Sequence, residues 1–308
     1  MKVVVFGGSG FLGSHVVDCL TDKGFEVIIF DLLESPYLKD KQSMIIGDIL
    51  NFDRVKEAVK DCNYVYNFAG IADINVAYQN PLKAIEINVL GNTNILDACK
   101  INKVKRFIFA SSIYVYSDLA PFYRSSKQAC ELIIEDYKKA FGLDYTILRY
   151  GSLYGKRAND FNFIYKIIKQ AIEEGKITRK GDGEEIRDYI NVLDAARCSV
   201  EILSDEFRNQ YVMITGTQST KVKDLLIMIK EIFHGEIDIE YIPGENEGHY
   251  EITPYSFRPK IAKKFVSNYY YDLGQGILDV IFELYSKSNK NIDDLGFIKN
   301  FIEKKDIR

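Results

Sequence analysis

The chain has 308 residues and a formal net charge of −4, and it lacks a basic block, which argues against a nucleic-acid-binding protein. No apolar run reaches the ~18 residues of a membrane span. The five cysteines and three histidines are scattered without a metal-ligand spacing. We therefore expect a soluble, cytoplasmic protein of one large domain or two, without a metal, nucleic-acid or membrane partner.

A glycine-rich turn follows the first predicted strand. Residues 1–6 form an apolar, β-branched run that is typical of a buried parallel strand. Gly7, Gly10 and Gly13 follow directly and lead into a helical pattern that ends near Gly24. Gly7 would permit a tight turn, Gly10 would let a pyrophosphate approach the helix, and Gly13 would let the helix pack on the strand. This context predicts a dinucleotide-binding site.

The second predicted strand, residues 26–30, ends in an acid. Asp31 lies about twenty residues beyond the glycines, where a carboxylate hydrogen-bonds the adenosine ribose hydroxyls. No arginine follows that would bind a 2′-phosphate, and Asp31 together with Glu34 would repel one. The sequence therefore predicts NAD rather than NADP as the cofactor.

Strand and helix patterns alternate through the first half of the chain. Further strands are predicted at 44–46, 64–68, 106–110 and 144–148, and helices at 53–60, 81–102 and 123–141. This alternation predicts an α/β fold with a Rossmann-type doubly wound parallel sheet. Ligands of such sheets bind beyond the carboxyl ends of the strands. The residues that follow strands should therefore gather at one edge, and they are Gly7, Asp31, Asp48, Ala69, Ser112 and Tyr150.

The pattern becomes less regular after about residue 150. Helices are predicted at 161–174 and 222–233, a strand at 237–242, and a strand at 211–214 that returns to the main sheet. We expect residues 1–155 to form the NAD-binding domain, with 187–215 returning to it. Residues 156–186 and 216–308 would then form a smaller C-terminal α/β cap that binds the substrate.

A Y-x-x-x-K motif supplies the candidate chemistry. Tyr123 and Lys127 are four residues apart, so on a helix they share one face. The ammonium group of Lys127 would favour the phenolate and lower the pKa of Tyr123. The hydroxyl of Ser112, a short distance earlier in the chain, could hold the substrate oxygen while Tyr123 moves the proton. Beside a nicotinamide, this arrangement suits hydride transfer between a secondary alcohol and a ketone.

These motifs together resemble the extended short-chain dehydrogenase/reductases, and specifically the NAD-dependent nucleotide-sugar epimerase/dehydratase family. The resemblance runs along nearly the whole chain. Besides the motifs above, the segments that carry it are 47–49, 67–70, 81–91, 109–112, 148–155, 181–190 and 194–196. It implies a fold with a smaller substrate-binding cap and a nucleotide-sugar substrate in the cleft between the two domains.

The resemblance also implies roles for individual residues. Tyr123 would be the catalytic base, Lys127 would hold the nicotinamide ribose, and Ser112 would bind the reacting oxygen. Arg187 would bind the nucleotide diphosphate, with Arg258 as a second arginine, because a guanidinium fork suits phosphate oxygens. The motifs and the resemblance together predict a cofactor site made of Gly7, Gly10, Phe11, Leu12, Gly13, Asp31, Asp48, Ile49, Phe68, Ala69, Gly70, Asn88, Ala110, Ser111, Tyr123, Lys127, Tyr150, Ser152 and Leu153.

Three departures from the family pattern bear on the reaction. Ile113 and Tyr114 stand where dehydratases carry the Asp and Glu that eliminate water, which argues against a 4,6-dehydratase. The interval from Ser112 to Tyr123 is shorter than in the usual epimerases, so the lid over the cleft would be shorter. Ser152 stands where the family often has asparagine, and that contact with the nucleotide sugar is therefore in question.

Several functions remain open from the sequence. The leading hypothesis is oxidation of a nucleotide-sugar hydroxyl at C4 to a ketone, either by a 4-epimerase or by a net 4-dehydrogenase. An NADH-dependent 4-keto-sugar reductase is an alternative, and a different class is a non-catalytic NAD(H)-binding regulator. Arg187 has a second interpretation as a salt-bridge partner of Asp188 or Asp194.

Two of the predicted helices are apolar on more than one face. Residues 84–100 and 126–140 each carry apolar side chains beyond the single stripe that packing on the sheet requires. Pairing of these helices across a two-fold axis would bury the second stripe. The sequence therefore predicts a homodimer.

Overall fold

β-branched and aromatic runs form the strands of a parallel central sheet. The computed structural model describes residues 1–244, 251 and 262–287. The strands of these residues are β1 (Lys2–Phe6), β2 (Glu26–Asp31), β3 (Gln42–Ile46), β4 (Tyr64–Asn67), β5 (Arg106–Ser112), β6 (Tyr145–Tyr150), β7 (Ser152–Tyr154), β8 (Lys176–Lys180), β9 (Ile186–Asn191), β10 (Gln210–Ile214), β11 (Ser219–Lys221), β12 (Asp238–Ile242) and β13 (Lys263–Lys264).

Helices connect the strands. They are α1 (Phe11–Asp22), α2 (Phe52–Val59), α3 (Ile74–Gln79), α4 (Pro81–Ile85), α5 (Asn92–Ile101), α6 (Tyr123–Phe141), α7 (Phe163–Glu174), α8 (Val192–Glu201), α9 (Val222–Ile232) and α10 (Leu273–Lys287). A π-helical segment spans Glu86–Gly91, and 3₁₀ turns span Ile113–Tyr116 and Asp205–Phe207. Helix α6 is capped by Gly142, which adopts the left-handed conformation with φ 76° that glycine tolerates best.

The eight-stranded sheet has the order β13-β10-β6-β5-β4-β1-β2-β3, and each of its strand pairs is parallel. Its β3-β2-β1-β4-β5-β6 portion is the doubly wound order, in which β2 and β3 are added on one side of β1 and β4 to β6 on the other. This topology confirms the predicted Rossmann-type fold class. The predicted strand at 211–214 lies within β10, which pairs with β6.

Apolar side chains cover both faces of this sheet. Val3 and Val5 of β1 pack with α1 and α8, whereas Val4 and Phe6 pack with α2 and α5 on the opposite face. This alternation follows from the two-residue period of a strand, and burial on both faces explains why β1 reads as a continuous apolar run. The two helical layers hold the sheet edge in place, and that edge carries the candidate site.

A third apolar core lies apart from the main sheet and joins α7, α9 and α10. Two small sheets flank it, with the orders β11-β9-β7 and β12-β8. Strand β9 belongs to the first of these, whereas α8 packs on α1 and β10 joins the main sheet. The proposed division into residues 1–155 with 187–215 and a separate cap stays a prediction. Across residues 1–244 and 262–287, no helix has the length and apolar character needed to cross a bilayer.

The helix predicted at 81–102 is not a uniform α-helix. It consists of α4, the π-helical segment and α5, which follow one another without a break. The wide π turn contains Asn88, whose side chain bonds both backbone groups of Ile71, at 2.7 and 3.1 Å. The spacing of apolar residues cannot reveal the extra residue that a π turn inserts into a helix. Such turns are frequent at functional sites.

Candidate active site

The glycine-rich turn joins β1 to α1 at the carboxyl edge of the sheet. Gly7 has φ 76°, and a Cβ there would lie 2.6 Å from the Ala69 nitrogen. A Cβ on Gly13 would lie 2.1 Å from the Gly7 oxygen, so α1 packs at a distance that only glycine allows. Gly10 is the N-cap of α1 and no side chain caps this helix, which leaves first-turn N–H groups available for an anion. The shape and the donors both fit a pyrophosphate.

Phe11 and Leu12 are the first two residues of α1, and they occupy the positions where backbone N–H groups would meet that anion. The carbonyl of Phe11 also accepts a hydrogen bond from the Ser14 hydroxyl at 3.2 Å, and the Leu12 side chain packs into the core beneath the turn. Their predicted contribution is therefore made through the backbone.

Asp31 ends β2 beside the glycine-rich turn. Its Oδ2 atom accepts a hydrogen bond from the Ser9 nitrogen at 3.0 Å, and the Ser9 hydroxyl donates to the Leu33 carbonyl at 2.9 Å. A carboxylate has about four acceptor sites, so others remain for ribose hydroxyls. The position of Asp31 thus fits the predicted contact with the adenosine ribose.

The predicted adenine contacts lie in the next loop of the same edge. Asp48 is exposed and accepts a hydrogen bond from the Leu50 nitrogen at 2.9 Å. Ile49 is buried, its carbonyl accepts from Asn94 Nδ2 at 3.0 Å, and a Cβ on Gly91 would lie 2.5 Å from its Cδ1. Ile49 therefore anchors the loop against α5, while Asp48 lies at the surface.

The loop after β4 continues the edge. Phe68 and Ala69 are partly buried there, and Gly70 has φ 150° with Asn88 Oδ1 only 2.7 Å from where a Cβ would lie. The Asn88 amide nitrogen donates to the Ile71 carbonyl and to the Ser126 hydroxyl, so both of its hydrogens are used within the protein. Asn88 thus ties this loop to α6, and its direct contact with the cofactor stays a prediction.

The end of β6 and the strand β7 carry the next predicted cofactor residues. The Tyr150 side chain enters the core, where its hydroxyl lies 2.5 Å from Ser199 Oγ, and burial raises the pKa of the Tyr150 phenol. Ser152 and Leu153 are partly buried in β7, and the Leu153 carbonyl accepts from Asn162 Nδ2 at 2.7 Å. Any contact between Tyr150 and a ligand must therefore be made by main-chain atoms.

Strand β5 and helix α6 carry the three predicted catalytic residues, with Ser112 at the end of β5 and Tyr123 and Lys127 in the first turns of α6. The Lys127 ammonium donates to the Ala110 carbonyl at 2.8 Å and lies 4.8 Å from the centre of the Phe109 ring. Ser112 is the last residue of β5, and its hydroxyl accepts a hydrogen bond from the Tyr114 backbone nitrogen at 3.3 Å. An ammonium group has three N–H donors, and one of them bonds the Ala110 carbonyl. Two therefore remain for a ribose hydroxyl and for the Tyr123 hydroxyl. All three side chains are buried.

The surroundings of Tyr123 and Lys127 are largely apolar. The Tyr123 ring packs with Ala77, Ala84 and Ala120, and the Tyr114 ring meets it edge to face at 6.1 Å. Burial lowers the pKa of Lys127 from its ordinary value, and the neighbouring acidic groups oppose that shift. Such an environment keeps water away from the phenol and strengthens electrostatic interactions with it.

We call residues 113–122, between Ser112 and Tyr123, the rim loop. Arg124 donates to the Ser117 carbonyl at 3.1 Å, and Gln128 donates to the Val115 carbonyl at 2.9 Å, so two α6 side chains fasten the loop. Ala120 and Phe122 have φ angles of 56° and 64°, a conformation that is costly for residues other than glycine. The rim loop is therefore a fixed edge beside Tyr123 rather than a long flap.

A buried polar network lies behind these residues. The Ser111 hydroxyl donates to Glu131 at 2.6 Å, and Arg149 donates to the same carboxylate through Nε at 2.9 Å and Nη2 at 2.6 Å. Arg149 also donates to the Tyr116 hydroxyl at 2.5 Å. Ser111 was predicted to bind the cofactor, and its side-chain hydroxyl is bonded to Glu131.

Sequence reasoning did not single out Glu131 or Tyr116. Glu131 follows Lys127 by four residues, so it shares the helix face of Tyr123 and Lys127, and that spacing is a signal that could have found it. Tyr116 reaches the network only through the path of the rim loop, for which the sequence pattern gives no signal. The sequence pattern likewise gave no sign that the side chains of Arg124 and Gln128 bond to the rim loop.

Arg187 lies in β9, the central strand of the small β11-β9-β7 sheet. It is buried and donates to the carbonyls of Ile186 at 3.0 Å and Glu251 at 3.2 Å. Of the acids considered as its alternative partners, Asp188 accepts from the Ser219 hydroxyl and Asp194 pairs with Arg197. Diphosphate binding by Arg187 stays a prediction, and Arg258 lies outside the described residues.

Sequence comparison connects this geometry to known proteins. The profile of a family described as NAD dependent epimerase/dehydratase matches residues 3–213. A provisionally named UDP-glucose 4-epimerase of Methanocaldococcus jannaschii is 31% identical over 257 residues, which cover 76% of this chain and 84% of that protein. A UDP-N-acetyl-alpha-D-glucosaminuronate decarboxylase of Bacillus cytotoxicus is 26% identical over 282 residues, 83% of this chain and 86% of that protein.

Structural comparison agrees. The UDP-N-acetylglucosamine 4-epimerase of Methanobrevibacter ruminantium, solved with UDP-N-acetylmuramic acid, superimposes with a TM-score of 0.80 at 25% identity, covering 93% of this chain and 99% of that chain. The UDP-glucose 4-epimerase of Thermotoga maritima shares the fold with a TM-score of 0.82 at 24% identity, over 93% of this chain and 99% of its own. The matched profile is that of an NAD-dependent family, which confirms the predicted cofactor. The chain belongs to the NAD-dependent epimerase/dehydratase family.

Proposed function

We propose that this protein uses NAD to oxidise the C4 hydroxyl of a UDP-hexose or a related UDP-sugar to a ketone, and that it acts as a 4-epimerase. The observation that carries the proposal is the placement of Ser112, Tyr123 and Lys127 at the sheet edge that also holds the glycine-rich turn. Relatives that act on UDP-sugars support the choice of nucleotide and of C4.

The residues of the chain would share the proton chemistry. Bound NAD would supply the hydride acceptor. Tyr123 would take the proton of the sugar hydroxyl, while the Ser112 hydroxyl donates a hydrogen bond to the oxygen that becomes the ketone. The Lys127 ammonium, already held by the Ala110 carbonyl, would stabilise the phenolate and orient the ribose beside it.

The fixed rim loop supports this reaction in preference to dehydration. Ile113 packs in the core against Met213, and the Tyr114 ring packs on Tyr123. Ile113 has no ionisable group and Tyr114 is a phenol rather than a carboxylic acid, so these two positions lack the acidic pair of a dehydratase. The proposal therefore excludes a 4,6-dehydratase. The net 4-dehydrogenase remains the other outcome, because a short rim leaves the cleft mouth open to release of a keto product.

Decarboxylation is a second candidate that the comparisons favour. A decarboxylase of UDP-glucuronic acid from Arabidopsis thaliana aligns over 85% of this chain at 25% identity, although the alignment covers only 64% of that protein. The chemistry is compatible, because a ketone at C4 of a uronic acid makes a β-keto acid, which loses carbon dioxide readily. Such an enzyme would begin with the same oxidation by Tyr123.

Incubation with a panel of UDP-sugars, with and without a C6 carboxylate, would test the proposal. Product analysis separates a C4 epimer from a free ketone and from a decarboxylated sugar. We expect Tyr123→Phe to lower turnover by at least ~10²-fold, the scale of general acid–base catalysis. The matched control is Tyr137→Phe, on the same helix. It removes a hydroxyl that donates to Asp97 at 3.1 Å and lies far from the sheet edge. Equal turnover of the two variants would contradict the assignment of Tyr123.

A further inference from the structure

We propose that Glu131, through its ion pair with Arg149, is a positioning residue that holds Ser112 and the Tyr123–Lys127 pair in register. The inference rests on the proposed reaction at Tyr123. It concerns a buried ion pair that does not itself touch the substrate.

One face of α6 bonds two successive residues near the end of β5. Lys127 bonds the carbonyl of Ala110, and Glu131, one helical turn later, accepts from the hydroxyl of Ser111 at 2.6 Å. Ser112 comes next along the strand. Because the two preceding residues are tied to α6, the distance between the Ser112 hydroxyl and the Tyr123 face of the helix is fixed by these two bonds.

Arg149 extends the same connection to β6 and the rim loop. Its guanidinium binds Glu131 through two nitrogens and donates to the Tyr116 hydroxyl, and it lies 4.6 and 4.4 Å from the Tyr116 and Tyr211 ring centres. Its exposed fraction is 0%, and that of Glu131 is 3%. Five elements therefore meet at this ion pair: β5, β6, β10, α6 and the turn that begins the rim loop.

An ion pair in this position also sets the local charge. The titratable and charged groups coupled electrostatically to Lys127 or Glu131 are Cys130, Tyr145, Arg149 and Tyr211, and through these also Tyr116 and Glu135. Burial lowers the pKa of Lys127, and the negative charge of Glu131 opposes that shift. Removing this charge makes the surroundings of Tyr123 more positive, so its phenolate should form at lower pH.

A spectroscopic titration tests the electrostatic part without a substrate. The ultraviolet absorbance of the Tyr123 phenolate is isolated as the difference between chains with Tyr123 and with Tyr123→Phe, with NAD present in both samples. We expect Glu131→Gln to move the titration midpoint of Tyr123 to lower pH by at least ~0.5 unit, from Coulomb's law over about two helical turns at an effective dielectric of ~20. An unchanged midpoint would overturn the proposal.

Glu135→Gln is the matched control. Glu135 is a second buried carboxylate of α6, it bonds the Tyr211 hydroxyl, and it lies one turn farther from Tyr123. We expect this variant to shift the midpoint by less than Glu131→Gln does, because the Coulomb energy falls in inverse proportion to distance. Equal shifts in the two variants would contradict a specific role for Glu131.

A double variant separates positioning from stability. Glu131→Gln alone leaves the Arg149 charge buried without its partner and can prevent folding, whereas Glu131→Met with Arg149→Met replaces the pair by apolar side chains of similar size, which proteins often tolerate. We expect the double variant to unfold at nearly the wild-type temperature and to bind NAD within threefold. Its kcat should still fall at least tenfold, because Ser111 and α6 are no longer joined.

Wild-type kcat in the double variant would mean that the pair serves stability alone and would overturn the proposal. Inactivity of the wild-type chain on every UDP-sugar would instead refute the proposed function. In that case the Tyr123 titration would still decide the role of Glu131, because it requires no turnover.

Discussion

Replacing Gly13 by alanine should separate the two tasks of the glycine-rich turn. The new Cβ would lie 2.1 Å from the Gly7 oxygen and 2.9 Å from the Gly7 carbonyl carbon. Ordinary C···O contacts begin near ~3.3 Å, so the start of α1 must move away from β1 by about 1 Å. Overpacking of this kind typically costs ~1–3 kcal/mol of unfolding free energy. The same movement carries the first-turn N–H groups away from the pyrophosphate.

We expect Gly13→Ala to weaken NAD binding at least tenfold, or by about 1.4 kcal/mol, as measured by calorimetric titration. Gly24→Ala is the matched control for stability. Gly24 has φ 81° with no atom within 4 Å of a Cβ, so alanine there meets only the left-handed penalty of ~1–2 kcal/mol. This variant should lose comparable stability in thermal unfolding but retain the NAD affinity of the wild type.

Gly10→Ala completes the comparison. A Cβ on Gly10 would meet only the Gly7 oxygen, at 3.3 Å, so the fold should tolerate it with little loss of stability. The methyl group would nevertheless occupy the helix N-terminus where the pyrophosphate must approach. NAD affinity should therefore fall while the unfolding temperature stays close to that of the wild type. Wild-type NAD affinity in both Gly10→Ala and Gly13→Ala would refute the assignment of the turn as the cofactor cradle.

Two further predictions follow from the cofactor edge and the surface helices. Asp31 should make NAD bind at least tenfold more tightly than NADP in competitive titrations, because its carboxylate repels a 2′-phosphate; equal affinities would refute this role. Leu90, Leu132 and Phe141 of the two helices predicted to pair are exposed by 52%, 59% and 56%, so we expect a homodimer in sedimentation experiments at micromolar concentration. Leu132→Glu should yield monomers if this face is the interface, and a wild-type chain that sediments only as a monomer would contradict the prediction.

The parts of the fold that sequence reasoning recovers are those with a strong local signal. The glycine-rich turn and the helix from Tyr123 to Phe141 are examples, because glycine spacing, apolar periodicity and a terminal glycine each specify the local conformation. Strand β9 was harder to anticipate. Its partners β7 and β11 contain three residues each, too few to show an alternating pattern.

The candidate site shows the same limit. Tyr123 and Lys127 could be paired from sequence because one helix fixes their separation. The bond from Ser111 to Glu131 and the turn of the Tyr150 ring into the core depend on how separate elements pack, which local periodicity does not encode. A residue predicted at a strand end can therefore reach the correct edge with its side chain directed elsewhere.

The fastening of the rim loop has a consequence for how this enzyme could change its substrate. Arg124 and Gln128, which hold the loop, alternate along α6 with Tyr123 and Lys127. The rim loop and the proposed catalytic base are thus held by the same helix. Natural variation that lengthens or reshapes the entrance must also alter the helix that carries the base, so substrate range and catalytic geometry would evolve together in this chain.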